Sequence, residues 1–370
     1  MSAIAVLAIS AAPVQRVDRP VGLRVLGRLD VARTSKRFPK GRPVQIAIWY
    51  PAVASGPPLA YSDYVLLTAT EKSLGNSPVP DPAVAAKTLG EYRAFLGKAK
   101  VSRANADAWL ATKMRAARGA APAPGKASLV VIAQGNGESA ADQAFLAERL
   151  AERGYVVVTT PSQARIGGAM KSESDIPAQA EDQAADLAFA ITAVRADPQV
   201  APGKYGLVAH SFGARSALLL AMRDENAAAL VSLDGGIGAK TGKGLLEKAK
   251  GFDRSRAKAP ILHLWEEGDR FMQPDLDLLR SLSRSDRWLV KVDDMRHVHF
   301  SSMGILARAV PAIAEITSAT ANTASAWDAV AEATGSFLDR FLRGAGSGPE
   351  SARWAPPPSP RLHTVFLSRS

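Results

Sequence analysis

Cysteine is absent from this 370-residue chain. That absence excludes disulfides, thiolate nucleophiles and cysteine-ligated zinc together, and it leaves the redox compartment open. Histidine is scarce, at five residues, so an imidazole base has few possible sources. No apolar run approaches the ~20 residues that a membrane-spanning helix requires. The sequence also lacks a nucleic-acid module and any Lys/Arg block interleaved with aromatics. Its formal net charge of +11 therefore reads as a basic solvated surface, and no nucleic-acid partner is expected.

Hydrophobic residues make up 47% of the chain and charged residues 22%, the balance of a soluble globular protein. The length suits one large α/β domain or two smaller ones. No internal repeat is present. Near the N-terminus, Ala3–Ala12 has the apolar core and small-residue end of a secretion signal, without a preceding Lys or Arg. An additional strand or a flexible arm is the alternative reading of residues 1–20. The expectation adopted is an exported protein, periplasmic or secreted, rather than a cytoplasmic one.

Strand-like and helix-like segments alternate along most of the chain, which predicts a mostly parallel central sheet with helices on both faces. "VGLRVLGRLDVAR" and "PVQIAIWYP" open it, as an antiparallel pair. Six short apolar runs follow, Ser128–Gln134, Tyr155–Pro161, Lys204–His210, Ala229–Asp234, Ala259–Trp265 and Trp288–Asp293, each suited to a strand covered on both faces. Helical stretches lie at Ala140–Arg153, Ala178–Arg195, Ala214–Arg223 and about Ala324–Leu342. Residues 345–370, rich in Gly, Pro and Ser, read as a tail.

One segment departs from this alternation. About residues 60–122 have helical periodicity and interrupt the α/β pattern before the third strand, as a cap insertion would. From Glu71 to Ala120 this segment carries nine Lys or Arg against four Asp or Glu. A solvated helix face explains that excess, and attraction to an anionic surface is its functional counterpart, so weak peripheral membrane contact enters as a possible partner mode.

The chemistry concentrates at "GLVAHSFGARSALLLA". Ser211 stands in Ala209-His210-Ser211-Phe212-Gly213, a G-x-S-x-G elbow with alanine at its first position. Small residues two positions either side allow a strained turn to pack between strand and helix. A helix-capping serine is the plainer reading, but an apolar strand before and a helix after favour a nucleophile. Among the histidines, His210 lies within the elbow, with a side chain expected to point away from the nucleophile. His263 falls in a buried strand and His363 in the tail. His297 and His299, just after the last predicted strand, preserve the order Ser…acid…His. Asp234 and Asp269 both follow strands, and spacing alone does not choose between them. For a developing oxyanion, the N–H of Phe212 follows the serine and that of Asn136 lies in the turn "AQGNGES". That turn lacks both the P-loop Lys and the dinucleotide glycine pattern. No metal or organic cofactor is implied.

Taken together, "IAIWYPA", "AQGNGES", "AERGYVVVTTP", "EDQAADLAFAITAV" and "VAHSFGARSALLL" resemble α/β-hydrolases of the plasma-type platelet-activating factor acetylhydrolase family, whose bacterial relatives are labelled dienelactone-hydrolase-like. The resemblance runs over about residues 21–344 and implies an α/β-hydrolase fold with a helical cap insertion. It implies a carboxylic ester hydrolase acting on a small-molecule or lipid-like ester through a Ser-His-Asp triad. It places the nucleophile on Ser211, the acid on Asp234 in "SLD", and the base on His297 in His297-Val298-His299-Phe300, with Asn136 and Phe212 as oxyanion donors. Gln134 replaces a family histidine and Ala209 a family glycine. Dienelactone hydrolases themselves use a cysteine nucleophile, so their own reaction is not expected. A hydrolase fold that only binds, and a peripheral lipid-associated protein, are the competing classes.

Overall fold

A computed structural model describes residues 19–344 and 354–369. The signal-like stretch Ala3–Ala12 and the start of the presumed tail fall outside the described residues. Among the described residues, eleven strands form one sheet: β1 (Val21–Asp30), β2 (Arg42–Pro51), β3 (Gly75–Asn76), β4 (Ala116–Arg118), β5 (Ala127–Ala133), β6 (Val156–Thr159), β7 (Val200–His210), β8 (Ala227–Leu233), β9 (Ile261–Trp265), β10 (Arg287–Val292) and β11 (Leu362–Leu367). The order across it is β11-β10-β9-β8-β7-β5-β6-β2-β1-β3, and β4 joins β1.

β6, β5, β7, β8, β9 and β10 run parallel to one another. β1 and β2 form the expected antiparallel pair, in continuous register from Val21↔Pro51 to Asp30↔Arg42. The parallel strands are near-continuous apolar runs because helices cover both sides of them. On one face, Val130, Val208, Val231 and Leu264 pack with the helices Ala144–Glu152 and Thr323–Arg343. On the other, Leu129, Leu207 and Leu230 pack with Ile176–Val194 and Gly213–Arg223. Each parallel strand ends at the same edge of the sheet, so the turns after β5, β7, β8 and β10 come together there.

Two sequence expectations need revision. The presumed tail ends in β11, which pairs antiparallel with β10 from Arg287↔Leu367 to Val292↔Leu362. Trp354, before it, is buried against Trp288 and Phe337. A Pro-rich lead-in masked a strand whose residues are only half-buried. The segment 60–122 does carry helices, Tyr61–Leu66, Pro82–Lys98 and Arg103–Leu110. It also supplies β3 and β4 to the sheet edge, and these are too short to leave a periodic signal. Its buried residues Tyr61, Tyr64, Trp109 and Leu110 join the core on the Ala144–Glu152 side. The Tyr64 hydroxyl donates to Glu148 at 2.6 Å and Trp49 Nε1 donates to the Tyr64 oxygen at 3.0 Å. Much of this insertion is therefore anchored to the sheet face, and its Glu71 pairs with Arg165, which follows β6.

Candidate active site

Ser211 occupies the turn between β7 and the helix Gly213–Arg223, with φ at +53°. A serine in the left-handed region is strained, and the surroundings hold it there. Its N–H donates to the Leu233 carbonyl at 3.2 Å, and its own carbonyl accepts from Gly236 N–H at 2.8 Å. Glycine is required at 213, because a Cβ there would overlap the Ala133 carbonyl. Position 209 is less demanding: Ala209 fits, fully buried.

Three turns then converge. His297 Nε2 lies 2.9 Å from Ser211 Oγ, and its Nδ1 lies 2.6 Å from Asp234 Oδ2. Asp234 also sits at positive φ, +42°. Its N–H donates to Leu264 O at 2.7 Å, and its Oδ1 accepts from Glu266 N–H at 3.4 Å. Asp269 is elsewhere: its Oδ1 accepts from Phe271 N–H at 2.8 Å and so caps its own turn. His299 is buried and accepts at Nδ1 from Arg296 N–H at 2.9 Å. Burial, with Arg296 beside it, pulls its pKa down to about 4.

The remaining histidines separate cleanly. His263 is buried with Nδ1 2.9 Å from Ser232 Oγ, and burial pulls its pKa down to about 3. His363 lies on β11 and pairs with Asp293 at 2.7 Å. His210 makes no hydrogen bond to Ser211. Its ring instead stacks on that of His297, with centroids 4.8 Å apart, and its Nε2 lies 3.2 Å from the His297 carbonyl.

The turn after β5 completes the edge. Gly135 N–H donates to Glu138 Oε2 at 2.6 Å, and Gly137 N–H donates to Ser162 Oγ at 2.9 Å. No acceptor within the described residues takes the N–H of Asn136 between them, or that of Phe212 after the serine. Two backbone donors are thus left beside the Ser211 hydroxyl's turn. Gln134 is buried and donates to Thr159 Oγ1 at 3.0 Å.

Sequence reasoning missed several supporting groups. Glu138 Oε1 lies 2.6 Å from His210 Nδ1, so this one carboxylate ties the glycine turn to the elbow histidine. Burial alone would raise its pKa, yet the charge of His210 holds it below the usual carboxylate range. Burial also disfavours the His210 imidazolium, but Glu138 outweighs it and raises the His210 pKa. Buried Glu266 follows β9 and accepts from Gly268 N–H at 2.5 Å and Asp269 N–H at 3.0 Å. Burial, and then the nearby Asp234 charge, pushes its pKa up to about 7. The Glu138–His210 pairing has no periodic signature because it joins separate turns, and the Glu266 bonds close a single turn that no motif marks.

Comparison with known proteins follows the same outline. Residues 114–293, just under half of the chain, match the model of the dienelactone hydrolase family. A solved structure, the ferulic acid esterase from Streptomyces cinnamoneus, matches over 97% of this chain and 98% of its own, with a TM-score of 0.59 and 21% sequence identity. No curated protein sequence matches the chain. The expected fold is therefore present.

Proposed function

We propose that this chain, of the α/β-hydrolase fold and dienelactone-hydrolase-like through its central segment, is a carboxylic ester hydrolase that works through a serine acyl-enzyme. The observation that carries the reading is the unbroken relay Asp234–His297–Ser211, at 2.6 and 2.9 Å. In it, Ser211 Oγ attacks the ester carbonyl carbon as its proton moves to His297 Nε2. Asp234 holds the imidazole by Nδ1–H and stabilises the imidazolium that forms. The carbonyl oxygen becomes an oxyanion facing the free N–H groups of Asn136 and Phe212, each such donor contributing about 10²–10³ in rate.

Collapse of the tetrahedral adduct breaks the bond to the alkoxy oxygen, which leaves with the proton from Nε2. Water then gives a proton to His297 and attacks the acyl-enzyme, and the same steps in reverse order free the acid and Ser211. The dienelactone hydrolase and ferulic acid esterase names support an ester as the bond cleaved. The cysteine-free sequence supports a serine rather than a thiolate nucleophile.

Fluorophosphonate treatment followed by intact-mass measurement tests this reading. One adduct per chain, lost in Ser211→Ala, is the expected result. A folded chain that takes no label would shift the assignment to a hydrolase-fold binding protein. Liposome binding that is salt-sensitive and persists in Ser211→Ala would point to a peripheral membrane role for the basic insertion.

A further inference from the structure

A second feature lies behind the acid turn. Arg215 is on the elbow helix, one turn beyond Ser211, and is only 4% exposed. Its Nη2 donates to the Thr241 carbonyl at 2.5 Å, and its guanidinium lies flat against Gly236 and near Gly242, where a side chain would displace it. No carboxylate among the described residues comes within ion-pair distance of it. Glu173, the nearest acid in electrostatic effect, instead accepts from Gly242 N–H at 3.2 Å. A guanidinium carries five donors, and an unpaired buried charge is costly.

The guanidinium lines a cavity of about 260 Å³, walled by the segment Gly236–Glu247, by Arg254 and by residues Asp275–Ser281. The other cations there are already matched. Lys243 holds Asp275 at 2.6 Å and Asp277 at 2.8 Å, and Arg254 holds Glu247 at 2.5 Å. Exposed Lys250 and Arg256 line an adjoining open groove and add positive charge to the approach, beside Asp253 and Glu247. Ser211 and His297 do not line this cavity. Its wall nevertheless begins at Gly236, which is bonded to the Ser211 carbonyl, and Thr241 Oγ1 lies 3.4 Å from the carbonyl of Phe271, whose ring is 5.9 Å from that of His297.

We propose that this cavity is an oxyanion-binding site in which Arg215 receives a small carboxylate or phosphate. The volume admits such a group with water around it, and the guanidinium fork suits its geometry. The oxyanion comes either from a carboxylate carried by the ester substrate or from a free anion. The substrate-borne source rests on the esterase reading; the free-anion source does not.

The test has two arms. In the first, the 15N-labelled full chain is titrated with inorganic phosphate and with succinate at constant ionic strength, and the Arg215 Nε–H resonance is followed, identified by its loss in Arg215→Lys. A saturable shift that sodium chloride does not reproduce supports a free anion. In the second, kcat/KM is compared for p-nitrophenyl hemisuccinate and neutral p-nitrophenyl butyrate. A preference for the charged ester that falls at least tenfold in Arg215→Gln supports a substrate-borne carboxylate. An unmoved resonance overturns the free-anion source, a charged-ester preference that is absent or survives Arg215→Gln overturns the substrate-borne source, and the two results together overturn the proposal. Should Arg215→Gln fail to fold, the wild-type titration still decides, and it requires no turnover.

Discussion

His210 stacks on His297 with an interplanar angle of 26°, and its Nε2 faces the His297 carbonyl. A carbonyl only accepts, so Nε2 must carry a proton. Its Nδ1 meets Glu138 Oε1 at 2.6 Å, and the shifts of the two groups, His210 upward and Glu138 downward, both favour the charged pair. Each partner thus stabilises the ionised form of the other, imidazolium against carboxylate. The pair backs His297, the proposed base, and through the second Glu138 oxygen fixes Gly135 beside Asn136, the proposed donor.

The first prediction follows from that pair. His210→Gln keeps a donor but loses the charge, and kcat should fall about 10- to 100-fold with KM little changed, as for a small misplacement of reacting groups. Because the His210 pKa is raised, the pair's stabilisation is complete below pH ~6.5 and is lost as pH rises through the folded value. The wild-type kcat profile should therefore have an alkaline decline that His210→Gln lacks. Steady-state hydrolysis of p-nitrophenyl acetate across pH decides it, and superimposable profiles would contradict the role.

The two candidate acids make a second prediction. Asp234 bonds His297, whereas Asp269 bonds only its own turn. Asp234→Asn should lower kcat about 10⁴-fold through the wrong imidazole tautomer. Asp269→Asn should cost about 1 kcal/mol of stability from one weakened hydrogen bond and leave turnover within a few-fold. Parallel kinetics on both variants settle the assignment, and a worse Asp269→Asn enzyme would reverse it.

Glu266 carries the third prediction, on stability rather than rate. Its folded pKa of about 7 exceeds the ~4.3 of an unfolded glutamate. The folded state therefore binds the proton more tightly, and this contribution is complete below pH ~4.3 and lost as pH rises through 7. Chemical denaturation of Glu266→Gln and wild type at pH 5 and pH 8 should show the variant gaining relative stability at the higher pH, by a few kcal/mol at most. A difference that does not change with pH would place the Glu266 carboxyl outside this linkage.

These residues show which features were legible in the sequence. The elbow was readable because Ala209, Ser211 and Gly213 lie within five positions, bounded by a buried strand and a helix. Elimination among five histidines left His297 and His299 together, and choosing between them, like choosing Asp234, needed either a family resemblance or the folded geometry. The Glu138–His210 bond spans 72 positions and joins two turns, so neither periodicity nor motif spacing announces it. Arg215 carries no signal of its own, because the sequence does not show that its side of the helix turns inward. β11 was hidden for another reason: an edge strand has one bonded neighbour and half-exposed side chains, so Leu362–Leu367 lacks the apolar run that marked β5 to β10.

That edge strand makes the last prediction. Trp354 packs edge-on to Trp288 at 5.8 Å and to Phe337 at 5.0 Å, and its carbonyl accepts from Trp288 Nε1 at 2.7 Å. Trp354→Ala retains that backbone bond and should cost about 3–5 kcal/mol in urea unfolding, the usual loss for a buried aromatic. Removing everything after Gly344 goes further, because it strips β10 of its antiparallel partner and leaves an open edge. That chain should form concentration-dependent aggregates by light scattering, whereas soluble Trp354→Ala should still take the fluorophosphonate label, since the proposed triad hangs on β7, β8 and β10 rather than on β11. A truncated chain that stays monomeric and as stable as the full one would return residues 354–370 to the status of a tail.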